Sequence, residues 1–505
     1  MLATAVAATA AAEPLPAMQA VPVGESDYVV RAASDEGLFL PEPTLPDLSA
    51  YTASAVEAKI DRSRKGRVDI RRIIREAAFK EFAGTDERLA EWARRQATNP
   101  RAIFIEGGYM TPADLAHSAP GELIEQTAPG IYLLRMPLVI GHDATLHIDR
   151  STLDFRMSEE RGAFLVNDGR LFVTGSRVTA WREREDAPAL FRDGERFRPF
   201  LVAWGGTETY IVDSVVSSLG YAASKSYGVS ISQYSPSLVG QMGRVPPTGW
   251  LINSEFVDNW YGFYCYEADN VVIVGNVYRD NVVYGIDPHD RSHRLIIAEN
   301  EAYGTKKKHG IIISREVNDS WIFHNRAYEN GLSGIVIDRS SVRNVIAGNT
   351  VYNNGSDGIT IYESPDNLLW ANNAIGNGKH GIRVRNSVGI KLYNNNSIAN
   401  GSAGIYGHIK DLSGTDRNLT IDPFAPVVSL VVVGGRLVRN GSSPIRIDKP
   451  LSVELFDVEM LAPQHASGLR LTGVLSRYQH RVLDLLLRQR LPVVIEPAAR
   501  AEPRT

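Results

Sequence analysis

The hexapeptide Gly285-Ile286-Asp287-Pro288-His289-Asp290 sets a histidine beside a proline and between two carboxylates. Imidazole changes charge near neutral pH, and flanking carboxylates can orient it and tune its basicity, so the stretch reads as a site of proton transfer. Arg315 follows one repeat later, after Lys306-Lys307-Lys308-His309, and Arg339, Arg383 and Arg385 carry positive charge further along. Arginine can grip a carboxylate with two parallel hydrogen bonds. Cations spaced repeat by repeat suit a linear polyanion better than a merely solvated face. With Tyr266, Tyr284 and Tyr362, the cations Lys306, Lys308, Arg339, Arg383 and Arg385 form the candidate polymer-binding set. Asp287, Asp290 and Glu267 could gather calcium, but no recognisable ligand loop surrounds them, and neither a metal nor a cofactor is expected.

These residues sit in a repeat. Glycine followed by Ile or Phe recurs at Gly262, Gly285, Gly310, Gly334, Gly358, Gly381 and Gly404, every 23 to 25 residues. Asparagines keep step at Asn253, Asn276, Asn300, Asn325, Asn349, Asn372 and Asn395. Two residue types sharing one period point to a solenoid. After each glycine, apolar and polar residues alternate, as a strand with one buried face requires. A coil this short holds about three brief strands, which describes a parallel β-helix. Positions one and three after glycine should point inward, leaving Asp287 and His289 on an outer column whose neighbours lie about 4.8 Å away. The proline inside a strand removes a ladder donor, so the local rule breaks where the histidine stands. Glycine supplies turns, and stacked asparagines can pass side-chain hydrogen bonds from coil to coil.

The surrounding chain has 505 residues, 44% hydrophobic and 22% charged, with net charge −4. That balance argues against a nucleic-acid or general polyanion binder and leaves only a local cationic strip. No apolar run is long enough to span a bilayer. The one cysteine, Cys265, falls on a repeat strand and reads as a small core hydrophobe. Residues 1–12 resemble the end of a secretory signal peptide without its basic start. Residues 13–68, rich in Pro and Ala, read as a tail or linker. Residues 69–100 read as an N-terminal helical cap, with Ile70, Ile73, Ile74, Ala77 and Ala78 on one helix face. The β-helix is expected over 101–465, with a surplus loop from Ser235 to Gly249. A C-terminal cap and tail follow over 466–505, with a helix near Leu475 to Arg490.

Several further stretches carry a resemblance: Glu106-Gly-Gly-Tyr-Met-Thr-Pro112, Trp204-Gly-Gly-Thr-Glu-Thr-Tyr210, Gly220-Tyr-Ala-Ala-Ser-Lys-Ser-Tyr-Gly228, Gly304-Thr-Lys-Lys-Lys-His-Gly310 and Ser314-Arg-Glu-Val317. With Tyr284-Gly-Ile-Asp-Pro-His-Asp290 they make the chain, from about Ile103 to His465, resemble the mannuronan C5-epimerases of bacterial alginate biosynthesis. The resemblance implies an exported, right-handed parallel β-helix enzyme acting on polymannuronate in the periplasm, in the company of other alginate export proteins. No motif identifies such a partner. It also implies that His289 is the catalytic base and that Arg315 meets the substrate carboxylate.

The chemistry is consistent with those roles. Removing the C5 proton of a mannuronate pushes charge into a carboxylate that is already ionised, which needs a cation such as Arg315. Asp287 and Asp290 would orient His289. Return of a proton from the opposite face gives guluronate, with water, Tyr284, Tyr266 or Tyr362 as candidate donors. Two other functions share these residues: a polysaccharide lyase, which begins with the same abstraction, and a non-catalytic polymer-binding scaffold.

Overall fold

The computed structural model describes residues 27–73, 92, 95–96, 100–234, 236–243 and 245–498. Among them, three sheets of 15 strands each wind into a parallel β-helix, and each coil gives one short strand to each sheet. The coil that carries the histidine contributes Val272–Val274 to the first sheet, Val277–Arg279 to the third and Tyr284–His289 to the sheet called here the site sheet. Alternation decides which face is core. Phe263, Cys265, Ile286, Ile311, Ile313, Ile335 and Ile337 all lie in one continuous apolar core, one or three residues after the repeat glycine as expected.

The asparagines are a hydrogen-bonded stack. From Asn276 through Asn300, Asn325, Asn349 and Asn372 to Asn395, each asparagine donates both its backbone and its side-chain N–H to the side-chain oxygen of the next. Asn253 is not part of it. Ser254 takes that place and donates its backbone N–H to Asn276, while Asn253 occupies the left-handed turn position beside it. A second stack, through Asn330, Asn354, Asn377, Asn400 and Asn440, fastens the corner leading into the site sheet.

The expected tail or linker over 13–68 is corrected by its described part. Tyr28–Ala32 pairs antiparallel with Val493–Pro497 at the C-terminal end. The chain then runs back along the outside of the first sheet. Phe39 meets Phe456 edge-on, Leu45, Leu48 and Tyr51 cover an outer apolar cluster, and Val56 and Ile60 pack with Phe172 and Tyr210. Apolar residues on the outer face of this sheet make the strap necessary: without it they would face water. Arg67–Arg72 is a strand antiparallel to Arg101–Glu106, so the helix expected from Asp69 begins as strand; most of the remainder of that stretch lies outside the described residues. An antiparallel partner closes an otherwise bare sheet edge. The helix Pro112–Ser118, with a Thr111–Asp114 capping box, buries Leu115 at the same end. At the other end, Gln479–Leu483 and Asp484–Arg488 cover the core with Val482, Leu485 and Leu486.

Candidate active site

The strand register lines up one outer row on the site sheet: Tyr266, His289, Ser314, Asp338, Tyr362, Arg385 and His408 occupy equivalent positions on successive coils. The next residue in each coil turns the chain. Glu267, Asp290, Arg315, Arg339, Glu363 and Asn386 all have φ between 38° and 64°, in the left-handed region. Asparagine and aspartate tolerate that region, but arginine is uncommon there, so the positions of Arg315 and Arg339 are kept at a conformational cost. The turn column places their guanidinium groups beside the histidine row.

His289 Nδ1 is hydrogen-bonded to Asp290, whose other oxygen accepts from Arg315 Nη1 at 3.1 Å. Burial disfavours the Asp290 carboxylate, but His289 and Arg315 outweigh it and keep its pKa below the usual range. An ionised carboxylate can only accept, so Nδ1 carries the proton and Nε2 keeps the lone pair of a base. Burial also opposes charge on His289. The hydrogen bond to Asp290 and the charges of Asp287 and Asp290 prevail, and its pKa rises above 6.5. Of the described histidines that the fold shifts, it alone moves up; burial pushes His309, His380 and His408 down to about 4. Asp287 is 2% exposed, its Oδ1 has no hydrogen-bond partner, and burial lifts its pKa to about 7.

Arg315 is held on a second side. Asp422 accepts from its Nε at 2.8 Å and its Nη2 at 2.9 Å. With Asp290, this uses three of the five guanidinium N–H groups and leaves two. Asp422 was not legible as a site residue, because it belongs to the irregular stretch 409–428 rather than to a repeat column. The length of that interruption is the only signal: the second asparagine stack steps 23 residues from Asn377 to Asn400, then 40 to Asn440.

The remaining candidates form a line of paired charges rather than a bare cationic strip. Arg339 lies 3.3 Å from Asp338 and 3.8 Å from Asp422. Arg385 makes two bonds to Glu363, at 2.7 and 2.9 Å, and stacks 3.8 Å above the Tyr362 ring. Arg383 reaches neutral His408 at 3.1 Å and Asp357 at 3.6 Å. Lys308 Nζ donates to the Tyr284 hydroxyl at 3.1 Å. Tyr266 accepts from Arg291 at 3.3 Å and lies under Lys225, 4.1 Å from its ring centre. Lys306 pairs with Asp258 at 2.8 Å, in a separate cluster with Arg198. The Ser235 to Gly249 loop contains the short helix Pro236–Met242, whose Leu238 packs on Trp204 and Tyr234.

Fold and site together define a parallel β-helix protein whose outer face gathers a histidine, two carboxylates and an arginine on adjacent coils. The chain is 56% identical to the mannuronan C5-epimerase of Pseudomonas putida over 94% of its own length and 91% of that protein. It is likewise 56% identical to mannuronan C5-epimerase AlgG of Azotobacter vinelandii, over 96% and 93%. The crystal structure of the periplasmic alginate epimerase AlgG superposes with a TM-score of 0.82 at 52% identity, covering 84% of this chain and all of that one. A family profile described as periplasmic copper-binding protein (NosD) matches residues 247–413. Among the described residues no group of three or more His, Cys, Asp or Glu could hold a metal ion. The chain belongs to the mannuronan C5-epimerase family. It is an isomerase-class enzyme, periplasmic, and no helix among the described residues is long and apolar enough to cross a membrane.

Proposed function

We propose that the site sheet of this chain binds polymannuronate along the coil axis, and that His289 and Arg315 act together on one sugar to epimerise it at C5. The observation that carries this is the shared carboxylate: Asp290 bonds both the base and the guanidinium, so the two groups are fixed relative to each other. Nε2 of His289 takes the C5 proton. The electron pair left on C5 delocalises into the adjacent carboxylate, and the two uncommitted N–H groups of Arg315 bond more strongly as that charge grows. A proton returned from the opposite face inverts C5 and gives guluronate with the polymer intact. Tyr266, with its pKa pushed by burial up to about 12, and Tyr284, also raised, hold their hydroxyl protons at neutral pH and stand as donor candidates beside water. Arg339, Arg383, Arg385 and Lys308 would hold neighbouring uronates by exchanging a protein carboxylate or hydroxyl for a substrate one. Association with other alginate export proteins is part of the same proposal and rests on the family alone.

The test is NMR of polymannuronate incubated with the purified protein in deuterated water. Wild type should place deuterium at C5 and raise the guluronate fraction at constant chain length. His289→Ala should lose incorporation by about 10²- to 10⁴-fold while still binding polymer. Wild-type incorporation in that variant would remove His289 from the role, and unsaturated uronate with shortening chains would make the activity a lyase.

A further inference from the structure

The stretch 409–428 lies between strands Ala403–His408 and Ser429–Val433 of successive sheets. It leaves the solenoid at Lys410, whose N–H and carbonyl are both held by the Asn386 side chain, at 2.7 Å each. From there it doubles back over the groove. Arg315 is adjacent to Ser314, four strand spacings before His408, so Asp422 is carried back across roughly 19 Å of the site sheet. Leu419 and Ile421 remain 38% and 49% exposed, so the outward part of the excursion is not fastened by these side chains. Ion pairs fasten it instead. Asp422 takes the Nε and Nη2 edge of Arg315, and Arg417 binds Glu363 at 2.6 Å while donating Nε to the Asp422 carbonyl at 2.9 Å.

We propose that Asp422 is a positioning residue for the epimerisation: it pins one edge of Arg315 so that the remaining N–H groups face the uronate whose proton His289 removes. This rests on the roles proposed above for His289 and Arg315. Two features of the geometry support it. Asp422 and Asp290 bind different N–H groups of the same guanidinium, so the substrate need not displace either. Without Asp422, the nearest carboxylate left to Arg315 is Asp290, and a guanidinium that turned its full fork onto Asp290 would draw that carboxylate from the imidazole. Asp422 therefore divides the charge of Arg315 and leaves Asp290 available to hold Nδ1–H. Burial opposes its own ionisation, but Arg315, Arg339 and Arg417 together keep it ionised.

The experiment compares Asp422→Asn and Asp422→Glu with the full wild-type chain, using NMR rates on polymannuronate over a range of pH. Asp422→Asn should lower kcat about 100-fold, the loss expected from a misplaced catalytic group, and change KM much less. The acid limb of its kcat/KM profile should move to lower pH. The groups facing His289 are Tyr264 and Tyr266 from the preceding coil, Asp287 and Asp290 beside it, and Arg315 from the next coil. Only the balance between Arg315 and Asp290 changes in the variant, and it changes in the sense that weakens the hold on the imidazolium. Asp422→Glu keeps the charge and should restore most of the rate and the wild-type limb. A wild-type rate and limb in Asp422→Asn would overturn the proposal. So would a lost rate with an unmoved limb and a lowered unfolding midpoint, which would make Asp422 a fastening of the excursion alone. If instead His289→Ala or Arg315→Ala kept full activity, the underlying roles would fail, whatever Asp422 did.

Discussion

Two arginine clusters in this molecule use the same parts to different ends. Arg198 is 2% exposed and spends its guanidinium on the carbonyls of Gly220, Ala189, Asp258 and Leu219 and on the Asp258 carboxylate. Lys306 closes the other oxygen of Asp258. Its guanidinium is closed off from solvent, and burial pushes the Arg198 pKa down to about 10. Arg315 has 23% of its side chain exposed, is paired on two sides and keeps two N–H groups uncommitted. An ion pair sealed from solvent holds a corner together; one left partly open and tied to a histidine can meet a changing charge. Whether the remaining donors can be reached from solvent separates the two roles, not the presence of arginine.

Breaking each cluster should therefore give different signatures. Arg315→Ala should lower kcat about 10²- to 10³-fold, the usual loss when a group stabilising developing negative charge is removed, with a smaller change in the denaturation midpoint than Arg198→Met, because Asp290 keeps His289 and Asp422 keeps Arg339 as partners. Arg198→Met should do the reverse. It leaves Asp258 buried with only Lys306 and the Phe191 N–H as partners, costing about 3–5 kcal/mol in denaturant unfolding, while the folded fraction turns over at the wild-type rate. A smaller loss, about 1–3 kcal/mol, is expected for Asn349→Ala, which strands the backbone N–H of Asn325 inside the stack. That variant should also leave kcat unchanged. The smallest effect sharpens the comparison on the open side. The base works only when unprotonated, and His289 is raised above 6.5, so kcat/KM should fall as pH drops through a value above 6.5. Asp287→Asn removes a carboxylate that favours the imidazolium and should move this limb down, by less than about one pH unit because Asp287, lifted to about 7, is partly protonated in the same window.

The contrast also marks what could be read from residues alone. Period, inward and outward columns, and the strand that breaks its own rule were all visible, because coil stacking repeats the same local physics every 23 to 25 residues. His289, Asp290 and Arg315 could be aligned for the same reason. What escaped was whatever the repeat does not write. The strap over the first sheet reads as a Pro-rich tail, since its few apolar residues gain meaning only against Phe172, Tyr210 and Trp250. Lys306 and Lys308 are two residues apart, yet one turns to Asp258 and the other to Tyr284, a choice made by the corner and not by composition. Asp422 is 107 residues from Arg315 and reaches it only through an excursion with no periodic signal. Asn253 matched the asparagine spacing and still fell one place off the stack, because the step from Ser254 to Asn276 is 22 residues, shorter than the rest, and leaves Asn253 at the left-handed turn position.

The central claim is that His289 and Arg315 act as one unit on one sugar, and a double-mutant cycle tests it most directly. Rates of C5 deuterium incorporation would be measured for His289→Ala, Arg315→Ala and the double variant under single-turnover conditions. Groups that serve the same transition state are strongly non-additive, so the double variant should be scarcely slower than the slower single one. If the two losses multiplied, the imidazole and the guanidinium would be working independently, and the account of the site would be contradicted.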